Sequence, residues 1–597
     1  MTSASPPRAP AELLDEIARR TPEPVRRAWL LLRLDLVGLA FAGMFFAWSM
    51  TPSLLPREWT YQGLVSGISL AAGYGTGVIV AWFARSVVQP LLELPPLPRR
   101  GRWALRGITT AVTLFLMVTA VIASAEWQRQ IRELIGMDPP SGTSHLRAGL
   151  SAVAIALGII LVVRLVRVLV RLVGHALRKL LRLPRPVVDA LGIILVSALI
   201  ITLVDGVLIR GMVIAANSVF SVQNAEIEDT VVQPIEPERS GSPASLADWE
   251  TLGLQGRRFV SRGLRAAELE RATGEPAEEP IRVYVGNDSA PSIDERIDLA
   301  LDELERTGAF EREVLVVATT TGTGWINPVA AQSLELIHRG DTAFATIQYS
   351  YLPSAISFLV DREIAQEAGK KLFDAVHAEW SRRDPEDRPE LHVYGESLGS
   401  YGSEAAFTGL ADLREKASGA LWVGPVNANR LWQAVTERRD PGSPEIRPTY
   451  AGGLIVRFAN KPEDLPTADE LEAAPWLEPR VLYLQHPTDP VVWWSPDLLF
   501  QRPDWLREPR GHDVSPAMQW RPIVTFWQVA SDLVNAGRIP YGHGHLYGDL
   551  ILDGWLAIAR PDDWTSAETE EAHRIMDTLS RYVLPRQSPI GEEGPVG

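Results

Sequence analysis

The sequence predicts a chain in two parts. The first is an all-α transmembrane region of about five helices. The second is an α/β domain with a mostly parallel sheet and helices on both faces. Three observations predict this. Five long apolar stretches crowd the first 210 residues. From about residue 247, short apolar runs rich in strand formers alternate with longer helical patterns, the signature of a helix-covered parallel sheet. The charge divides at the same place: residues 1–220 carry a net +11 and residues 221–597 a net −26, which the overall −15 conceals.

In the first part, residues 1–29 are polar and read as a cytoplasmic tail, and 30–220 as the membrane region. The expected spans are 31–51, 63–84, 106–125, 148–170 and 187–206, each close to the ~20 residues that cross a bilayer core. Arg33 and Asp35 sit at the start of the first span, suited to the membrane edge. Basic residues concentrate before span one (Arg19, Arg20, Arg26, Arg27), between spans two and three (Arg99, Arg100, Arg102) and between spans four and five (Arg171, Arg178, Lys179, Arg182, Arg185). The positive-inside rule then puts the N-terminus in the cytoplasm of a multi-pass plasma-membrane protein, and five crossings put everything after about residue 210 outside. The spans carry no ladder of charges of the kind that marks a transport path, so anchoring is the expected role. Residues 221–246 have linker composition, 247–585 form the α/β domain, and 586–597 read as a disordered tail.

Strand-like runs in that domain are 281–286, 313–319, 342–350, 391–395, 420–424 and 480–485. Sites in such sheets lie at the C-terminal ends of strands. The irregular, Pro-rich segment 432–480 is the candidate cap over the site.

The most informative stretch is LHVYGESLGS, residues 391–400. A strand ends in Gly395-Glu396-Ser397-Leu398-Gly399, and a helical pattern follows. Strand, tight turn with Ser at its tip, then helix is the nucleophile elbow of the α/β-hydrolase fold. The glycines two before and two after the serine remove side chains that so sharp a turn would crowd. Ser397 is therefore the candidate nucleophile. Asp489, just past the strand-like run 480–485, is the candidate acid. His545, with His543 as the alternate base, precedes a helical pattern in the loop YGHGHLY. The order Ser, Asp, His is the one this fold uses. The oxyanion hole needs two backbone N–H groups. Leu398 is expected to supply one, and the Thr320, Thr321, Gly322 stretch of the loop TTTGTGW the other.

Other chemistries find no support in the sequence. There is no cysteine, hence no disulfide, thiolate or cysteine metal site. Gly-Lys-Ser/Thr phosphate-loop spacing is missing, and nothing points to nucleic acid, a cofactor or a metal. Of the 19 tryptophans, Trp493 and Trp494 follow Asp489 closely and suit an apolar chain or the membrane interface.

Beyond single motifs, WETLGLQGRRFV (249–260), VVATTTGTGWINP (316–328), GDTAFATIQYSYLPS (340–354), YGESLGS (394–400), LYLQHPTDPVVWW (482–494) and GHGHLYGD (542–549) closely resemble the bacterial membrane-anchored α/β-hydrolase family. The resemblance covers nearly all of 247–565 and extends to the membrane region. It implies a serine hydrolase acting on an ester, with some members resembling enzymes that remove amino acids from aminoacylated membrane lipids. The partners expected are the bilayer and a lipid or ester substrate. Two other readings stand beside it: an acyltransferase on envelope lipids with the same triad, and a non-catalytic membrane scaffold or sensor.

Overall fold

The structure is a computed structural model and describes residues 22–23, 34–92, 98–139, 144–181, 184–466, 475–562 and 564–582. The expected tail 586–597 and nearly all of 1–29 lie outside the described residues. The chain divides into two compact units. One comprises residues 1–200, 494–507 and 513–535; the other comprises 201–493, 508–512 and 536–597. The sequence reading assigned all of 247–585 to one domain, whereas two pieces of it group with the N-terminal helices.

In the first unit, four helices are long and apolar enough to cross a membrane: Trp59–Leu91, Arg99–Leu134, Ser144–Leu180 and Pro186–Ala225. The first expected span differs. Its described helix, α1, runs only Leu36–Ser49, 14 residues. Asp35 stops it: its Oδ1 accepts from the backbone N–H of Val37 (3.0 Å) and Gly38 (3.2 Å), an N-cap. Fourteen residues rise about 21 Å, short of the ~30 Å hydrocarbon core. Residues 31–33 of the expected span lie outside the described residues. The four long helices also overrun the expected spans at both ends. Hydropathy registers membrane depth, while the helix continues through its arginine-bearing flanks. Helix α2 (Trp59–Phe83) packs on both α1 and α3 (Ser144–Leu181).

The second unit is built on a seven-stranded sheet: β1 (Ile281–Val285), β2 (Val314–Thr319), β3 (Thr342–Ile347), β4 (Glu390–Glu396), β5 (Gly419–Val423), β6 (Val456–Ala459) and β7 (Arg480–Leu484). The order is β1-β3-β2-β4-β5-β7-β6 and every pairing is parallel. The strands are buried on both faces, which is why they read as continuous apolar runs rather than alternating ones. Helices α4 (Ile293–Thr307), α6 (Glu363–Ser381) and α7 (Leu398–Glu404) pack together, and α5 (Pro328–Ile337) packs with α9 (Leu550–Ile558). Helix α8 (Val524–Asn535) belongs to the first unit.

The segment 432–480 is not all cap. It contains β6, the short edge strand beside β7. Four residues give too little periodicity to separate a strand from a loop. Residues 467–474 of that segment lie outside the described residues.

Candidate active site

Strand register gathers the site. Thr319 of β2 pairs with Gly395, Glu396 of β4 with Val423, and Val423 of β5 with Leu484. The loops after these strands, holding Thr320–Trp325, Ser397, Gly424 and His486–Asp489, therefore leave the sheet at one edge.

Ser397 has φ 57° and ψ −124°, a strained conformation for a residue with a side chain. It caps the start of α7, and its N–H donates to Val423 O at 2.9 Å. The turn closes this tightly because Gly399 has no side chain; a Cβ there would lie 2.3 Å from Thr319 O. That approach places the helix start against the end of β2. The Oγ of Ser397 makes no hydrogen bond among the described residues.

Asp489 is fully buried. Its Oδ1 accepts from Val491 N–H (2.8 Å), and its Oδ2 accepts from His545 Nδ1–H and from the Tyr547 hydroxyl, both at 2.7 Å. Tyr547 was not singled out by sequence. It lies two residues past His545 and stacks on the His486 ring, centroids 4.1 Å apart. Burial, then the Asp489 charge, push its hydroxyl well up, so it stays a donor.

The His545 side chain is 16 % exposed, and its Nε2 has no hydrogen-bond partner among the described residues. The ring rests on Gly424, where a Cβ would lie 2.4 Å from Cε1. Since Gly424 follows the Val423 carbonyl that holds Ser397, one dipeptide contacts both Ser397 and His545. Burial disfavours the imidazolium, but the charge and hydrogen bond of Asp489, with Glu396 adding, outweigh it; the net shift is upward. His543 does not reach Asp489. It bridges to Leu546 along the backbone, its ring 6.4 Å from that of His512.

Glu396 is the second residue the sequence reading passed over, although it stands inside the G-x-S-x-G motif. It is buried, and its Oε2 accepts from Asn327 Nδ2 and the Tyr394 hydroxyl, each at 2.9 Å. Burial raises its carboxyl above the usual range, with Asp489 adding, against His545, Asn327 and Tyr394.

The expected oxyanion donors divide. Thr321 N–H donates to Trp325 O (3.0 Å) and Gly322 N–H to Ser354 Oγ (3.2 Å), so both amides are engaged within the loop region. The Leu398 N–H opens α7, and Thr320 N–H is not taken up by that turn. A cavity of about 580 Å³ runs along the flank of α7, lined by Tyr401, Glu404, Lys370, Arg430 and Arg438; Ser397, Asp489 and His545 do not line it. No cluster of metal-ligating side chains occurs among the described residues.

A parallel sheet with a strained serine between β4 and α7, and a buried Asp–His pair beyond β5 and β7, defines the α/β-hydrolase class. The chain belongs to the alpha/beta-hydrolase family: the family matches residues 281–572, and the "Alpha/beta-hydrolase family N-terminus" matches residues 50–263. No curated protein and no solved structure matches the chain.

Proposed function

We propose that this protein is a membrane-anchored serine hydrolase that cleaves an ester, its substrate a membrane lipid or an aminoacylated lipid. The observation that supports it most is the dipeptide Val423-Gly424, which holds the amide of strained Ser397 on one side and seats the Asp489-bound imidazole on the other.

In this reading Ser397 Oγ attacks the ester carbonyl carbon as His545 Nε2 takes its proton. Asp489 keeps the Nδ1–H tautomer and stabilises the imidazolium. Leu398 N–H and Thr320 N–H face the oxyanion. The tetrahedral intermediate collapses, the alcohol leaves with the proton from His545, and an acyl-enzyme remains. Water, deprotonated by the same nitrogen, then releases the acid.

The lipid substrate is supported by the long apolar helices, which hold the chain at a bilayer. The distribution of basic loops supports an N-terminus in the cytoplasm of a plasma-membrane protein; the catalytic domain then lies outside if α1 completes a fifth crossing and inside if only the four long helices cross.

The test is fluorophosphonate labelling of the full chain. Parent protein should label and Ser397→Ala should not. Equal labelling of the two would remove the proposal. A membrane-impermeant probe on intact cells reads the side: labelling only after lysis would put the domain inside. Incubation with an alcohol acceptor, followed by product analysis, separates hydrolysis from acyl transfer.

A further inference from the structure

Helix α7 starts at Ser397 and forms one wall of the cavity along its flank. That cavity, about 580 Å³, is lined wholly by residues of the second unit. Its volume suits a small organic ligand. The apolar lining includes Tyr401 of α7, Phe407 beyond it, and Val435 of the helix Arg430–Glu437; all three are buried. The lining cations are Lys370, Arg430 and Arg438. Lys370 pairs with Asp374, and Glu367, a lining acid, pairs with Lys371. Arg430 and Arg438 differ. Both are exposed, and neither side chain makes an ion pair or hydrogen bond among the described residues. Two like charges thus share one cavity without a counter-ion among those residues. The other lining acid, Glu404, is buried. Burial pushes its carboxyl up to about 7, against Asn429, Tyr483 and the Leu431 and Trp432 amides, so at neutral pH it opposes an anion only in part.

The residues on either side of Arg430 hold α7. Leu431 N–H donates to Glu404 Oε2 at 2.8 Å, and Asn429 Nδ2 donates to Glu404 Oε1 at 3.0 Å. Asn429 Nδ2 also donates to Ser400 Oγ at 3.1 Å, and that hydroxyl donates to Ser397 O at 2.7 Å. The amide beside a cavity arginine thus joins both ends of α7.

We propose that this cavity is a second binding site, for a phosphate ester with an apolar body, and that its occupant acts on Ser397 through α7. The phosphate meets Arg430 and Arg438, whose planar forks suit its oxygens, and the apolar body lies on Tyr401, Phe407 and Val435. A monoester, with a charge of about −1.5 to −2 at pH 7, answers two guanidiniums where a carboxylate answers one. Such an ester comes from a phospholipid headgroup or as a free phosphomonoester. Contact at Arg430 bears on Asn429 and Leu431, and so holds α7 where it presents Ser397. This second half rests on Ser397 as the nucleophile; the binding itself does not.

The experiment titrates hexyl phosphate into the full chain in a neutral detergent by calorimetry, with hexanol as the uncharged comparison. Parent protein should bind hexyl phosphate saturably and at least about tenfold more tightly than hexanol. Arg430→Gln/Arg438→Gln should lose about tenfold or more, while Arg271→Gln/Arg574→Gln, which removes two arginines outside the cavity, should bind as the parent does. Circular dichroism checks that both variants fold. No saturable binding, or an equal affinity in the parent and Arg430→Gln/Arg438→Gln, would overturn the site. Repeating the titration in phosphatidylcholine nanodiscs with and without phosphatidic acid separates the sources. Weaker binding of hexyl phosphate beside phosphatidic acid means that a headgroup competes for the cavity; equal binding means a soluble ester. Fluorophosphonate labelling reads the coupling. Saturating hexyl phosphate should speed labelling of the parent by roughly fivefold and leave Arg430→Gln/Arg438→Gln unchanged. An unchanged or slower rate in a parent that binds would overturn the coupling. A parent that binds but never labels would instead remove the reading of Ser397 and leave the site standing.

Discussion

His545 Nδ1 lies 2.7 Å from Oδ2 of Asp489, and the same oxygen accepts from Tyr547. An acid with two donors on one oxygen and the Val491 amide on the other cannot rotate, so it fixes both the tautomer and the plane of the imidazole.

Asp489→Asn should therefore keep the fold and lose the tautomer. Labelling of Ser397 should slow by roughly 10³- to 10⁴-fold, the scale seen when a triad acid becomes an amide. Tyr547→Phe should be milder, removing one charge-assisted hydrogen bond of about 1.5–3 kcal/mol while leaving the pair. Stopped-flow labelling with a chromogenic ester and circular dichroism separate chemistry from folding.

In the proposed mechanism acylation needs neutral His545. Its pKa is raised, with Asp489 and Glu396 overcoming burial, so the rate should fall as pH drops through a midpoint above the ordinary ~6.5 of histidine. Glu396→Gln removes one of the groups that raise it, and the acid-side midpoint should move down. A pH–rate profile of the two proteins checks the sign; an unmoved or raised midpoint would contradict it.

Gly424 has φ +53°, and a Cβ there would lie 2.4 Å from Cε1 of His545. Gly424→Ala should displace the imidazole and cut the labelling rate by about tenfold or more. The left-handed backbone adds a stability cost of roughly 1–2 kcal/mol, visible as a lowered Tm. Labelling at the parent rate would mean that the ring can settle elsewhere without loss.

Asp532 carries a second pH dependence. Burial pushes its carboxyl up to about 6, against Arg57, Ser53 and the Leu54 and Leu55 amides. A folded-state pKa raised above the unfolded value contributes stability that is complete below the unfolded pKa, near 4, and is lost as pH rises through about 6. The stability difference between parent and Asp532→Asn should thus change across pH 4–7 in that direction, which thermal melts of the solubilised chain at several pH values would read. A difference that is constant across this range would place the titration elsewhere.

Much of this was legible beforehand because it is local. The elbow LHVYGESLGS carries its strand, its glycines and its helix within ten residues, and six of the seven strands are apolar runs that burial on both faces demands. β6 escaped because a four-residue edge strand has no pattern of its own. The described helix of the first expected span starts later than the apolar run, because apolar content continues past Asp35, while helix geometry begins where that carboxylate caps it. Glu396 and Tyr547 stood beside motif residues, but only contact reveals that one oxygen of Asp489 serves two donors.

The sequence by itself determined the class of the chain, the position of the turn that strains Ser397, and the chain order of serine, aspartate and histidine, because each depends on neighbours along the backbone. The choice of His545 over His543 as the partner of Asp489, the meeting of Ser397 and His545 at Val423-Gly424, and the capture of Gln528, Asp532 and Asn535 by a loop nearly 480 residues earlier were decided by the tertiary structure alone. Burial gives a carboxylate its few available partners, and which partners arrive is set by how distant segments pack.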